Sequence, residues 1–233
     1  MAELRVGTSG YNYKEWKGNF YPPKLSGHEM LRFYAQQLPS VEINYTFYRM
    51  PSERTLEGWA ESVPEDFQFA LKANQKITHG QKLRDCEATL QRFLEAAGVL
   101  ASSGRLGPVL FQLPPSFRAD WPVLEEFLQL RPRAFRFALE FRHPSWYGEK
   151  TYTLLRHYEA ALCLAETEKE GPLDVLTAGF TYVRLRRPGY TEEELEGWRK
   201  RFQSWLQQGV DVYAYCKHEE AGRAPTYARR LLG

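Results

Sequence analysis

A single (β/α)8 barrel of the TIM type, an α/β fold running as one domain from residue 1 to residue 233, is what this sequence predicts. Three observations carry that expectation. Eight β-like runs alternate with helical patterns along the chain, which argues for a parallel sheet with helical crossovers, and eight is the number that closes a barrel. The runs alternate apolar and polar residues, whereas strands of an open doubly wound sheet are buried on both faces and read as continuous hydrophobic runs. Finally, the first run is followed by GTSGYNY, which lacks the Gly-x-Gly-x-x-Gly and the helix start of a dinucleotide-binding fold.

Taken in order, Leu4–Gly10 predicts a first strand, followed by an aromatic loop over Tyr11–Pro23 too rich in Gly, Asn and Pro to be regular. A helix is expected over Glu29–Gln37 and a second strand over Ser40–Tyr48. Pro51-Ser52 opens a helix carrying Leu56 and Trp59, Phe67–Asn74 is the third strand, and Thr78-His79-Gly80 lies in the loop after it. Leu90, Phe93, Leu94, Ala97 and Leu100 fall at helical spacing in a long helix ending near Gly104. The fourth strand, Pro108–Leu113, is stopped by Pro114-Pro115, and Asp120 is placed to cap a helix with Val123, Leu124, Phe127 and Leu128.

The fifth strand lies in RFALEFRHPSW, residues Arg136–Trp146. A helix through Leu154, Leu155 and Tyr158 leads to the sixth strand, Ala161–Glu168, and then to a weak short helix near Leu173–Ala178. Phe180–Arg187 is the seventh strand. Thr191 with Glu194 forms a capping box for a helix striped with Leu195, Trp198, Phe202, Trp205 and Leu206, and Gly209 stops it. Val210–Cys216 is the eighth strand and Tyr227–Leu232 the last helix. No linker, repeat or low-complexity tract marks a domain boundary.

The alternation also says which groups share a face. Val41, Ile43, Tyr45 and Phe47 oppose Glu42, Asn44, Thr46 and Tyr48; Phe137, Leu139 and Phe141 oppose Arg136, Glu140 and Arg142; Val212 and Ala214 oppose Tyr213, Tyr215 and Lys217. If the apolar set faces the helices, the interior holds Glu42, Lys72, Gln112, Glu140, Arg142, Glu166, Arg184, Arg186 and Lys217. Removing an unpaired ion from water costs several kcal/mol, so such a layer is kept when the groups pair, stay wet or bind something. They cluster toward strand C-termini, where barrels of this kind keep their sites.

Composition narrows the partners. A formal charge of +2 over 233 residues argues against an extended nucleic-acid footprint, so any basic function is local. Cys86, Cys163 and Cys216 are widely spaced and odd in number, which predicts neither a disulfide framework nor a zinc knuckle. The opening MAELRVGTSG lacks a signal-peptide pattern, and no apolar run approaches the roughly 20 residues that span a bilayer. The expectation is a cytoplasmic protein with no membrane partner and no resident cofactor.

The segments GTSGYNYKEWKGNFYP, VEINYTFYRMP, KANQKITH, LFQLPPSF, ALEFRHPSW and YVRLR resemble, in order, the signatures of the YecE-like family, domain of unknown function 72. The resemblance spans Val6 to about Ala228 and implies a TIM-type barrel. The family is loosely associated with sugar isomerases, and the resemblance implies no established activity. Its recurrent positions fall here on Gly7, Ser9, Gly10, Tyr13, Trp16, Tyr21, Glu42, Asn44, Phe47, Tyr48, Lys72, His79, Gln112, Glu140, Arg142, Trp146 and Arg184. One departure is Lys217-His218, standing where the family shows an asparagine pair.

The interior set holds three carboxylates and five cations, and the guanidinium forks of Arg142, Arg184 and Arg186 suit phosphate or carboxylate oxygens. The expectation is therefore a small anionic, phosphate-bearing substrate, a sugar phosphate or nucleotide-like molecule, bound at the barrel mouth. Glu140 is the expected general acid or base, with Glu42 beside it and Lys72 and the arginines stabilising negative charge. A Schiff base at Lys72 is a lesser alternative. Ser9, Tyr13, Trp16, Asn44, Tyr48, His79, Gln112, His143, Trp146, Arg186, Tyr215 and Lys217 complete the expected binding set. The bland alternatives are aromatics packed under long loops, arginines paired with Glu42, Glu140 and Glu166, and His143 capping the strand end.

Two further function classes stand beside this one. A metal-dependent sugar isomerase or phosphodiesterase would draw ligands from Glu42, Glu140, Glu166, His79, His143 and His218, but surrounding cations repel a metal and no inward aspartate ends a strand. A non-catalytic module would bind nucleotides or short single strands on the basic, aromatic mouth.

Overall fold

The computed structural model describes residues 1–166, 174–217 and 222–233. Parallel strands β1 (Leu4–Ser9), β2 (Ser40–Ile43), β3 (Gln68–Lys72), β4 (Leu106–Gln112), β5 (Phe137–Glu140), β6 (Ala161–Ala165), β7 (Phe180–Leu185) and β8 (Asp211–Cys216) pair in sequential order. Strand β8 pairs back with β1 through Leu4↔Val212 to Thr8↔Cys216, which closes the barrel. Around it lie helices α1 (Met30–Ala35), α2 (Tyr45–Tyr48), α3 (Glu53–Glu61), α4 (Glu87–Ser102), α5 (Trp121–Gln129), α6 (Glu149–His157), α7 (Glu192–Gln207) and α8 (Ala224–Leu232). None of the described helices is long and apolar enough to cross a membrane.

Strand parity divides the buried apolar residues into two clusters. Val41, Ile43, Phe69, Leu71, Val109, Phe111, Phe137, Leu139, Val183 and Val212 pack outward with helix residues such as Leu56, Phe93, Phe127 and Phe202. Ala70, Leu110, Ala138, Ala161, Cys163, Phe180, Tyr182, Tyr213 and Tyr215 form a separate inner cluster. This is the expected pattern of a barrel that is filled by side chains. At its N-terminal end Arg136 pairs with Asp211 at 2.8 Å and donates to the Tyr213 hydroxyl, which donates to Gln68.

The helix signals resolve as local chemistry. Ser52 accepts the Thr55 amide at the start of α3, and Asp120 accepts that of Val123 at the start of α5. Thr191 and Glu194 complete the capping box of α7, and Gly209 leaves it at φ +81°.

Two expected elements differ. The second strand ends at Ile43, not Tyr48: its pairing with β3 stops at Ile43↔Leu71, and the next residues turn into α2. The Thr46 hydroxyl fixes that turn by donating to the Lys72 carbonyl at 2.7 Å. The short helix expected over Leu173–Ala178 is also not formed. Residues 174–178 are irregular, and Leu173, with the end of the expected sixth strand at Thr167-Glu168, lies outside the described residues. The Thr177 hydroxyl instead accepts the Leu162 amide and donates to the Ala160 carbonyl, so this segment is bonded to β6.

Gly7 marks the tightest approach in the barrel wall. A Cβ there would stand 1.9 Å from the Ser40 carbonyl oxygen and 3.0 Å from the Tyr34 hydroxyl. Gly7→Ala is expected to lower stability by on the order of 3 kcal/mol or to prevent folding. Gly197→Ala, on α7 with nothing within 4 Å, should leave urea midpoints unchanged or raise them.

Candidate functional site

The strands deliver their last inward residues to one place at the C-terminal mouth. Glu42, Lys72, Gln112, Glu140 and Arg184 are each the last or next-to-last residue of their strand, and all five are buried. Register sets neighbours side by side: Ser9 stands beside Glu42, and Gln112 beside Glu140. Arg184 reaches across from β7 and donates from Nη1 to Glu140 at 2.6 Å and from Nη2 to Glu42 at 2.9 Å.

Both carboxylates are fully engaged. Glu140 accepts Gln112 Nε2 at 2.8 and 2.9 Å, Arg142 Nε at 3.3 Å and Arg186 Nη1 at 3.1 Å, besides Arg184. Burial pushes its pKa up, but Arg184, Arg186 and Arg142 outweigh that and hold it down at about 2. Glu42 accepts Ser9 Oγ at 2.7 Å and the Tyr182 hydroxyl at 2.8 Å. Burial opposes its ionisation too, and Arg184, Ser9 and Tyr182 still keep it below the ordinary range.

Lys72 is treated differently. Its Nζ donates to Gln112 Oε1 at 2.9 Å and lies 3.9 Å from the centre of the Phe47 ring, with no carboxylate oxygen within ion-pair distance among the described residues. Burial first, then the Arg184 charge, bring its pKa down to about 8 against the pull of Glu42 and Glu140. Among the described residues the mouth thus holds four cations, Lys72, Arg142, Arg184 and Arg186, against two carboxylates.

Several other expected residues join this group. Asn44 donates to Glu42 at 3.4 Å. Half-buried His79 packs edge-on against Phe47 at 5.0 Å, and burial with the charges of Lys72 and Arg142 lowers its pKa. Tyr13 donates to the Ser9 carbonyl at 2.7 Å, and burial with Glu42 pushes its phenol up to about 12. It also walls a cleft of about 290 Å³ with Tyr11, Asn12, Asn44, Tyr45, Thr55 and Trp59.

The structure corrects other placements. Trp16 is fully buried against Tyr13, Phe20 and Tyr21, so it packs the first loop and offers no face to a ligand. Trp146 is likewise buried, stacked on Phe141 with its indole donating to the Phe117 carbonyl. Tyr215 lies deeper in the barrel, bonded to Ser40 at 2.8 Å. Tyr48 is 67% exposed, carried outward because α2 replaces the end of the expected strand. His143 accepts the Ser145 amide and caps the turn after β5. Lys217 is exposed beyond β8. Glu166 falls on the outer parity, opposite to Ala161 and Cys163, and accepts from Trp198 of α7 and from Tyr190. Glu140 itself, held ionised and closed by donors, clamps three arginines and has no proton to give as a general acid.

Sequence reasoning missed Tyr182 as the second support of Glu42, although its parity already pointed inward. It also missed the Tyr45–Trp59 cleft, because period two placed Tyr45 on the apolar face of a strand. Among the described residues no three His, Cys, Asp or Glu side chains gather where they could hold a metal ion. His218 lies outside the described residues.

Comparison with known proteins places this geometry among relatives. The family described as "Protein of unknown function DUF72" matches residues 5–233. UPF0759 protein YecE of Escherichia coli (strain K12) is 35% identical over 237 residues, covering 88% of this chain and 85% of its own. UPF0759 protein YunF of Bacillus subtilis (strain 168) is 25% identical over 266 residues, covering 98% and 93%. The crystal structure of a DUF72 family protein from Thermotoga maritima superposes with a TM-score of 0.83 at 26% identity, covering 99% of this chain and 98% of its own. An AP endonuclease, family 2, from Brucella melitensis reaches a TM-score of 0.57 at 12% identity over 96% of each chain, a likeness of fold alone.

The clamp makes an acid-stability prediction. Glu140 has its folded pKa below the ordinary 4.5, so its contribution is complete above that value and is lost as pH falls toward about 2. Arg184→Met leaves buried Glu42 without its cation and removes one of the three that face Glu140, and should cost on the order of 3–5 kcal/mol at pH 7. Denaturant unfolding should show wild-type stability falling below pH 4.5 and a shallower fall in the variant, where of the arginines only Arg142 and Arg186 still lower the Glu140 pKa; parallel profiles would refute the clamp.

Proposed function

The chain belongs to the DUF72 family of proteins of unknown function, and from that premise we propose that its barrel mouth binds a small phosphate-bearing substrate, a sugar phosphate or nucleotide-like molecule. The observation that carries this reading is the excess of cations over carboxylates among the described residues of the mouth. Arg184 is spent on Glu42 and Glu140, but Arg142 gives Glu140 only its Nε and Arg186 only its Nη1. Their side chains are 34% and 28% exposed, and the remaining N–H donors of the two planar forks have no partner among the described residues, which leaves them available to an oxyanion arriving from solvent. Lys72 adds a positive charge with no paired carboxylate among the described residues. A dianionic phosphoryl group is the complement of that charge.

The neighbouring cleft supports a ring on the same ligand. Tyr11, Tyr13, Tyr45 and Trp59 offer aromatic surface there, and Asn12 and Asn44 offer amides suited to ring hydroxyls or a base edge. Asn44 bonds Glu42 and Tyr13 bonds the Ser9 carbonyl, so the cleft adjoins the Glu42 corner of the charged layer. Acid–base work at this site falls to Lys72 and His79, whose pKa values move down, and not to Glu140 or Glu42, which stay ionised.

Calorimetric titration at low ionic strength with inorganic phosphate and with sugar phosphates tests the reading. Phosphorylated ligands should bind and their unphosphorylated counterparts should not. Arg142→Ala and Arg186→Ala should each weaken binding about 10- to 100-fold, the range of a charge-assisted hydrogen bond, while melting stays near wild type. Unchanged affinity in both variants would overturn it.

A further inference from the structure

We propose that Lys72 forms an imine with the carbonyl carbon of an aldehyde- or ketone-bearing phosphate ester held at the barrel mouth. This rests on the phosphate reading above and adds the covalent chemistry that a bound substrate would meet.

The geometry separates Lys72 from every other nucleophile among the described residues. Cys86, Cys163 and Cys216 are buried, and burial pushes all three thiols upward, away from the reactive thiolate. Tyr182 and Tyr215 are driven up in the same way. Lys72 is the buried group whose reactive neutral form is brought closer. Three features act together: the ammonium is mostly withdrawn from water, its nearest charged neighbours include arginines, and both nearby carboxylates are occupied by guanidinium donors. Desolvation beside other cations is how a lysine becomes a nucleophile near neutral pH.

The surroundings also suit the reaction. Nζ stands over the apolar face of Phe47 and is held by one hydrogen bond to a neutral amide, Gln112, which it can leave without stranding a charge. Arg142 and Arg186 lie on the same layer, tied to Glu140, which itself accepts from Gln112. A phosphoryl group on the arginines therefore brings a carbonyl a few atoms away toward Nζ. His79 packs on the same Phe47 ring and is held toward its neutral form, so it can accept the first proton.

The step balances without another reactant. The ammonium gives up a proton, the amine nitrogen bonds the carbonyl carbon, and the C–O π pair moves to oxygen. The oxygen then leaves as water, carrying that proton and a second one from nitrogen. The protonated imine keeps one N–H and the single positive charge with which Lys72 began. No oxidant or reductant is needed.

The test uses the intact protein, pyridoxal 5′-phosphate as probe, borohydride reduction to trap the imine, and peptide mass spectrometry to place the label. Expected is labelling of Lys72 at least about tenfold faster than of exposed Lys76 or Lys217, since burial and Arg184 bring Lys72 toward its neutral form and the phosphate site holds the probe beside it. Inorganic phosphate should suppress the label, pyridoxal without phosphate should label it poorly, and Arg142→Ala should slow it. Lys72→Met should remove it while melting cooperatively, and Lys72→Arg provides a second variant that keeps the charge. If phosphate binds but label appears only on exposed lysines, the imine is overturned and the anion site stands. If Lys72 is labelled equally by pyridoxal and phosphate does not compete, the lysine is reactive but its phosphate-bearing substrate class is overturned.

Discussion

Arg184 donates to Glu140 with one guanidinium nitrogen and to Glu42 with the other, and so ties β5 to β2 across the barrel axis. All three groups are almost wholly buried. Taking such ions from water costs several kcal/mol each, and their mutual attraction offsets this only if the remaining donors and acceptors are also met. Here Ser9, Tyr182 and Gln112 meet those of the carboxylates, while Arg184 Nε is left as a buried donor with no partner among the described residues. The rest of the mouth follows from that closure. With both carboxylates committed, Lys72 has only an amide partner, and Arg142 and Arg186 share one oxygen of Glu140 while turning donors outward.

The barrel interior is graded along its axis by the same logic. At the N-terminal end the Arg136–Asp211 pair, Tyr213 and Gln68 form a bonded plug. Above it Ala70, Leu110, Ala138, Ala161 and Cys163 are small or apolar, which leaves room for Tyr182 and Tyr215 to pack at 5.1 Å. Small residues on β5 and β6 also let Arg184 extend from β7 to Glu140. The middle layer isolates the mouth from water below, so charges there are screened only from one side. Electrostatic attraction for an incoming anion is correspondingly stronger than at a surface cluster.

How far the sequence spoke for itself depended on periodicity. Where a strand is regular to its end, period two put Glu42, Lys72, Gln112, Glu140 and Arg184 on one face, and the coordinates keep them there. Where a strand ends early, the same rule failed. Tyr48 was counted two pairs past Ile43 and is exposed, and Glu166, one residue past β6, turns out to Trp198. Trp16 and Trp146 were legible as aromatics in loops, but nothing local distinguishes a ring that packs beneath a loop from one that faces a ligand. The arginine clamp on Glu140 was not legible for a different reason. Its parity was right, but the number of guanidiniums that converge on it depends on three residues from two strand ends, which only the folded barrel brings together. The Tyr45–Trp59 wall of the cleft depends on a helical turn that interrupts a β-like run.

The central claim is that, among the described residues, the cations of this mouth outnumber its carboxylates and face an oxyanion. Anomalous diffraction from a crystal soaked in selenate, a sulfate-sized oxyanion with a locatable heavy atom, tests it most directly. The account predicts a selenium peak within hydrogen-bonding reach of Arg142 and Arg186, on the side of the layer where Lys72 lies. Peaks confined to outer basic positions such as Arg229 and Arg230 on α8, with none at the mouth, would contradict it.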